Sequence, residues 1–70
     1  MKTFRVEPGH DALHRGVWHG PGMRVMLEEN EWLEIHTTLP NGKRNGPIGK
    51  YQYAQLDLNA PPPGLSRSDF

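Results

Sequence analysis

The chain contains no cysteine, and this absence removes two devices that commonly stabilise small domains. Without thiols it forms neither disulfides nor thiolate-bound metal sites. Core-forming residues are also scarce, because leucine, isoleucine, valine and phenylalanine together number fourteen in 70 residues. A single core in so short a chain contributes only about 3–5 kcal/mol. We therefore expect one thinly cored domain whose remaining stabilisers are an ideal fold, a partner, pairing as a homodimer or a His/carboxylate metal site.

The chain also lacks an excess of charge and any long hydrophobic run. Eight lysines and arginines balance eight aspartates and glutamates, which gives a net charge of zero. This balance argues against a general polyanion binder, although a local basic patch stays open. No apolar run approaches the about 18 residues that a membrane span needs, and the N-terminus has no apolar signal segment. We expect a cytoplasmic protein that does not bind membranes.

Hydrophobic alternation predicts a mainly β fold. Phe4 and Val6 alternate with polar residues in a first short strand. Residues 23–39 alternate on both sides of an acidic turn at 28–31, which predicts a β-hairpin. One helix is the alternative there, but the apolar positions do not keep a period of 3.6. With a further strand at residues 48–58, we predict a small antiparallel sheet or an SH3-like barrel of three to four strands.

Two segments are predicted to lie outside regular strands. Residues 8–22 are rich in glycine and proline, which predicts a loop. Asp11 is a suitable N-cap there, and we predict one short helical turn near residues 11–15. Residues 59–70 contain three consecutive prolines followed by small polar residues. They predict a proline-rich mobile tail after a single β domain at residues 1–58.

Histidines in the predicted loop suggest a metal site. His10, His14 and His19 are three of the four histidines in the chain. On a helical turn His10 and His14 would point the same way, as in zinc-binding His-x-x-x-His pairs, and His19 is the third candidate ligand. A metal site needs rigidly held ligands, and this glycine-rich segment offers no scaffold for them. We therefore favour loop histidines and expect no metal and no cofactor.

The histidines also permit metal-free acid–base chemistry. Histidine carries protons near neutral pH, and cleavage of RNA at a 2′-hydroxyl needs a base and an acid. His14 and His36 are the candidates, and Glu34 is placed to orient His36 because it lies two residues away on the same strand face. A metal-independent ribonuclease is therefore one hypothesis. We favour a non-enzymatic protein, because this combination of residues is unspecific.

Aromatic and basic residues define the preferred candidate surface. If the aliphatic residues face the core, these side chains collect on the opposite face. Trp18, in the preceding loop, is expected either to cover that face or to extend it. The predicted binding residues are Arg24, Trp32, His36, Tyr51 and Tyr53, with Lys43 and Arg44 at the rim.

The partner of this face is inferred from its composition. Tryptophan, tyrosine and arginine are enriched in protein interfaces. The same residue types stack bases and hold phosphates in proteins that bind RNA or single-stranded nucleic acid. The glutamates at positions 28, 29, 31 and 34 would repel phosphates. We therefore predict a binding module for another protein or its own copy, with nucleic acid as the alternative.

Overall fold

The computed structural model describes residues 1–68, which form seven β-strands and one 3₁₀ turn. The strands are β1 (Lys2–Val6), β2 (His10–His14), β3 (Val17–His19), β4 (Arg24–Leu27), β5 (Trp32–Thr38), β6 (Arg44–Gln52) and β7 (Leu65–Arg67), and the turn is Tyr53–Gln55. One sheet has the order β4–β1–β7, and the other has the order β3–β2–β5–β6. Every strand pair is antiparallel.

The predicted mainly β fold is confirmed. Within the described residues the strands form two separate antiparallel sheets, of three and four strands, and not a closed SH3-like barrel. No helix in this part of the chain is long and apolar enough to cross a bilayer.

The predicted helical turn near residues 11–15 is wrong, because residues His10–His14 form β2 between β3 and β5. Arg15 and Gly16 both have positive φ, 52° and 74°, and they connect the paired residues His14 and Val17. Two positive φ angles in a two-residue loop are the requirement of a type I′ hairpin turn. The chain therefore reverses here as a β-hairpin and does not coil into a helix.

The core lies between the two sheets. Both sheets contribute alternate side chains to it, as expected for strands with one covered face. Tyr51 and Tyr53 are partly buried and pack against the core. The buried apolar residues are Phe4, Val6, Ala12, Val25, Leu27, Leu33, Ile35, Leu56 and Leu65.

The hairpin predicted at residues 23–39 has the right strands and the wrong pairing. β4 pairs with β1, whereas β5 pairs with β2 and β6. The turn between them carries Asn30 with a φ of 67°, and it passes the chain from one sheet to the other. Each strand thereby covers the core from its own side, which a hairpin within one sheet would not allow.

The folded chain extends beyond the predicted boundary at residue 58. Leu65–Arg67 pair with β1, and Leu65 is buried. Gly64 has a φ of 96°, a conformation that glycine adopts readily, and its backbone approaches the side chain of Ile35. The mobile tail predicted for residues 59–70 therefore contains a paired strand, and its last two residues lie outside the described part of the chain.

Candidate functional site

The outer face of the four-stranded sheet carries an exposed polar and aromatic cluster. Leu33 and Ile35 point into the core, so residues 32, 34 and 36 face the other way. The register places Leu13 opposite both Glu34 and Trp18. We call this outer surface the tryptophan face, and it consists of Asp11, Leu13, Trp18, Trp32, Glu34, His36, Arg44 and Lys50.

One end of the tryptophan face is organised around Arg44. Its guanidinium carbon lies 3.7 Å from the ring centre of Trp18, a cation–π contact. Its Nε donates a hydrogen bond of 2.7 Å to Oδ2 of Asp11. The Asp11 side chain is largely buried, whereas the Arg44 side chain remains partly exposed. The bond to Asp11 therefore holds the guanidinium in place over the tryptophan.

His36 packs against Trp18 at this end of the tryptophan face. Its ring meets the Trp18 ring edge-on, with centroids 4.9 Å apart. Its Nδ1 lies 2.9 Å from the carbonyl oxygen of Asn45, so this nitrogen carries the proton and donates. Its Nε2 lies 3.4 Å from Oε1 of Glu34 and, among the described residues, has no hydrogen-bond partner. The side chain of His36 is only 12% exposed, and its edge-on contact helps to position the Trp18 ring.

Trp32 occupies the other end of the face. It is 49% exposed, and Trp18 is 37% exposed. The Nζ of Lys50 lies 5.5 Å from the ring centre of Trp32. Each tryptophan therefore has a cation beside its ring, and the carboxylates of Asp11 and Glu34 share the same face.

The structure separates the predicted tyrosines from this surface. Tyr51 pairs with the buried residue Leu33, so it lies on the core side of the sheet. Tyr53 lies beyond the end of β6, where the Nζ of Lys2 is 4.1 Å from its ring centre. The same Nζ donates hydrogen bonds to the carbonyl oxygens of Tyr53 and Leu56. The prediction that both tyrosines share a face with Trp32 is therefore wrong.

Two other predicted binding residues, Arg24 and Lys43, lie away from the tryptophan face. Arg24 is exposed on β4, in the three-stranded sheet. Lys43 lies in the turn before β6, where its backbone N–H bonds to the side chain of Asn41. Of the predicted set, Trp32, His36 and Arg44 are brought together on the tryptophan face.

The candidate metal ligands are distributed along β2 and β3. His10 and His14 lie at opposite ends of β2, and four residues of strand span about 13 Å. His14 and His19 are closer, with ring centroids 6.1 Å apart. Within residues 1–68 no group of three or more His, Asp or Glu side chains is placed to hold a metal ion.

The candidate catalytic residues do not converge on one site. His14 pairs with Leu33, and therefore lies on the core side of the sheet. His36 and Glu34 lie on the outer side. Instead His14 contacts Glu31, with 2.9 Å between Nε2 and Oε1. The hypothesis that His14 and His36 act as an acid–base pair is therefore wrong, because the two side chains lie on opposite sides of the sheet.

The contacts of the Glu31 carboxylate were not predicted from the sequence. Its Oε1 accepts a hydrogen bond of 2.7 Å from the backbone N–H of Glu28, and its Oε2 lies 3.5 Å from Nε of Arg15. The bond from Glu28 and then the His14 ring lower the pKa of the Glu31 carboxyl below its ordinary value. This carboxylate joins the β2–β3 turn to the turn after β4.

The contact of Asp11 with Arg44 was also missed, and so was the hairpin that brings Trp18 onto this face, although the sequence contains a signal for both. Residues 10–14 place Asp11 and Leu13 on one face of an extended segment, and Gly16 permits a turn that returns Trp18 to the same face. The surrounding glycines and prolines conceal this short hairpin, because they favour the interpretation as a loop.

Comparison of the chain with protein-family models, curated proteins and solved structures finds no match. The class of protein is therefore defined by its own structure, as a small β domain of two antiparallel sheets. Its candidate functional site is the tryptophan face, which exposes two aromatic rings with a cation beside each.

Proposed function

We propose that this domain is a non-enzymatic binding module whose tryptophan face docks onto a protein surface. The observation that carries the proposal is the exposure of Trp18 and Trp32 on one face of one sheet. Tryptophan and arginine dominate the binding energy of protein interfaces, because they bury a large area and also offer a polar contact. Arg44 is already held in place over Trp18, so little side-chain entropy is lost when a partner covers it.

The charges on the face favour protein over nucleic acid. Surfaces that bind single strands combine stacking aromatics with cations that are free to track the phosphates. Here the Nε of Arg44 is bonded to Asp11, and Glu34 adds a second carboxylate near the rings. These carboxylates would repel phosphates but suit a partner with matching cations.

A protein ligand and a nucleic-acid ligand predict different effects of substitutions and of salt on the affinity. A protein partner or a second copy of the chain predicts that loss of Trp32 costs most and that salt acts weakly. A nucleic-acid ligand predicts affinity that falls steeply with salt and depends on Lys43 and Arg44.

The experiment compares the unchanged chain with Trp32→Ser and with Leu39→Ser, an exposed apolar residue outside the face. Sedimentation velocity over a concentration series measures self-association, and quantitative affinity purification with the three baits measures retention of other proteins. We expect Trp32→Ser to abolish the association, by either measure, and Leu39→Ser to retain it. Equal behaviour of the three baits in both measurements would overturn the proposal. So would tight, salt-sensitive binding of single-stranded oligonucleotides to the unchanged chain.

A further inference from the structure

A groove of about 370 Å³ opens between the β2–β3 hairpin and β4. It lies in the lower part of the size range of small-ligand and peptide pockets. Its walls combine two apolar side chains with several basic ones. The lining residues are His14, Arg15, Val17, His19, Arg24 and Met26.

The apolar part of the groove is open to solvent. Val17 and Met26 are 55% and 56% exposed. They belong to β3 and β4, which are edge strands of their respective sheets. An edge strand offers backbone N–H and C=O groups to an added strand. The groove is therefore bordered by two strand edges and two exposed apolar side chains.

The basic part of the groove is incompletely neutralised. Glu31 lies within ion-pair distance of His14 and Arg15. Within residues 1–68, no carboxylate lies at such a distance from Arg24. Instead Arg24 is directly opposite Arg5 on the neighbouring strand, a like-charge pair that destabilises a sheet. An anion bound at Arg24 would offset the repulsion between these two guanidinium groups.

We propose that this groove binds an extended acidic peptide segment, with a carboxylate on Arg24 and an apolar side chain between Val17 and Met26. The strand edges favour a peptide, because a peptide backbone satisfies them and a sugar–phosphate backbone does not. Arg24 and Met26 are two residues apart on the same side of β4, so a paired strand would meet them with two residues that are also two positions apart. The ligand should therefore carry an acidic residue and an apolar residue at positions i and i+2. None of the lining residues of the groove belongs to the tryptophan face.

The probe is a blocked pentapeptide that carries glutamate and valine two positions apart, with serine at the other positions, compared with the same peptide carrying glutamine in place of glutamate. Titration calorimetry gives the affinity, and amide chemical shifts of the ¹⁵N-labelled chain locate the site. We expect the glutamate peptide to shift the amides of β3 and β4 and to bind about tenfold more tightly than its glutamine counterpart. Arg24→Gln should weaken the glutamate peptide by about tenfold, and Lys43→Gln, an exposed cation outside the groove, should leave it unchanged.

Three results with the peptides and the groove variants would overturn the proposal, and a fourth comes from a variant of the tryptophan face. The first is equal or absent binding of the two peptides. The second is an equal loss in Arg24→Gln and Lys43→Gln, which would indicate general charge attraction. The third is tighter binding of inorganic phosphate or an oligonucleotide at the same amides. Trp32→Ser separates this proposal from the function of the tryptophan face: the groove should bind the peptide unchanged in that variant, and loss of binding there would contradict the groove assignment.

Discussion

The guanidinium carbon of Arg44 lies 3.7 Å from the ring centre of Trp18, and these residues come from opposite edge strands of the four-stranded sheet. The contact therefore reaches across the two central strands, where Asp11 accepts a hydrogen bond from the same arginine. This contact therefore links the two edge strands across the outer face of the sheet. Its contribution to stability is measurable.

Arg44→Lys should lower the free energy of unfolding by about 1 kcal/mol, because lysine lacks the planar fork that both stacks and bonds. Urea denaturation of the single variants and of the double variant with Trp18→Leu measures the coupling. We expect a coupling of about 0.5–1 kcal/mol between the two positions. Lys43→Ala, at the neighbouring cation, should change stability by less than about 0.5 kcal/mol. If the stability losses of Arg44→Lys and Trp18→Leu were additive in the double variant, the stacking contact would be contradicted.

Gly64→Ala should destabilise the protein by about 2–3 kcal/mol, because the new methyl group both overpacks the site and strains the backbone. An ideal Cβ there would lie 2.6 Å from Cγ2 of Ile35, and the φ of 96° disfavours any side chain. Thermal and urea unfolding measure the loss. Gly46→Ala is the matched control, since its Cβ would meet no atom within 4 Å. If the two substitutions had equal effects, residues near 64 would not be docked against β2 and β5.

Glu31→Gln should remove part of the pH dependence of stability. The pKa of the Glu31 carboxyl is lowered in the folded protein, so folding favours its charged form. This stabilisation is present above the ordinary carboxyl pKa of the unfolded chain, and it is lost as the pH falls through the lower, folded-state pKa. We therefore expect the unchanged protein to exceed the variant in stability at neutral pH and to approach it in acid.

Urea denaturation from neutral to acidic pH measures this difference. Glu29→Gln is the control, because Glu29 is an exposed carboxylate of the same turn. Its stability should run parallel to that of the unchanged protein at every pH. A constant gap between Glu31→Gln and the unchanged protein across the whole series would show that the Glu31 contacts do not depend on its charge.

Local alternation was sufficient to predict strands at residues 24–27 and 32–38 and to identify their buried sides. Val25, Leu27, Leu33 and Ile35 all face the core as expected. The partner of each strand was not predictable in the same way, because pairing depends on which distant segment completes the core. β4 and β5 are neighbours in the chain, yet they lie in different sheets.

The errors at Tyr51 and Tyr53 have a local cause. The prediction extended one strand from residue 48 to residue 58, but β6 ends at Gln52 and the 3₁₀ turn Tyr53–Gln55 interrupts the alternation. Leu56 is buried after this turn, so a period of two counted back from Leu56 places Tyr51 on the wrong face. The exposure of Trp32 was predicted correctly because Trp32 lies next to the buried residue Leu33 within one uninterrupted strand. The contact between Arg44 and Trp18 was not predictable, since it joins residues of two edge strands.

The central position of β1 affects how the protein folds during synthesis. Arg5 pairs with Ser66, which is 61 residues away in the chain. A ribosome adds about 5–20 residues per second, so the first strand waits roughly 3–12 s for its second neighbour. During that interval Phe4 and Val6 lack the cover that Leu65 provides in the finished fold. The newly made chain is therefore most exposed to aggregation before its last strand emerges.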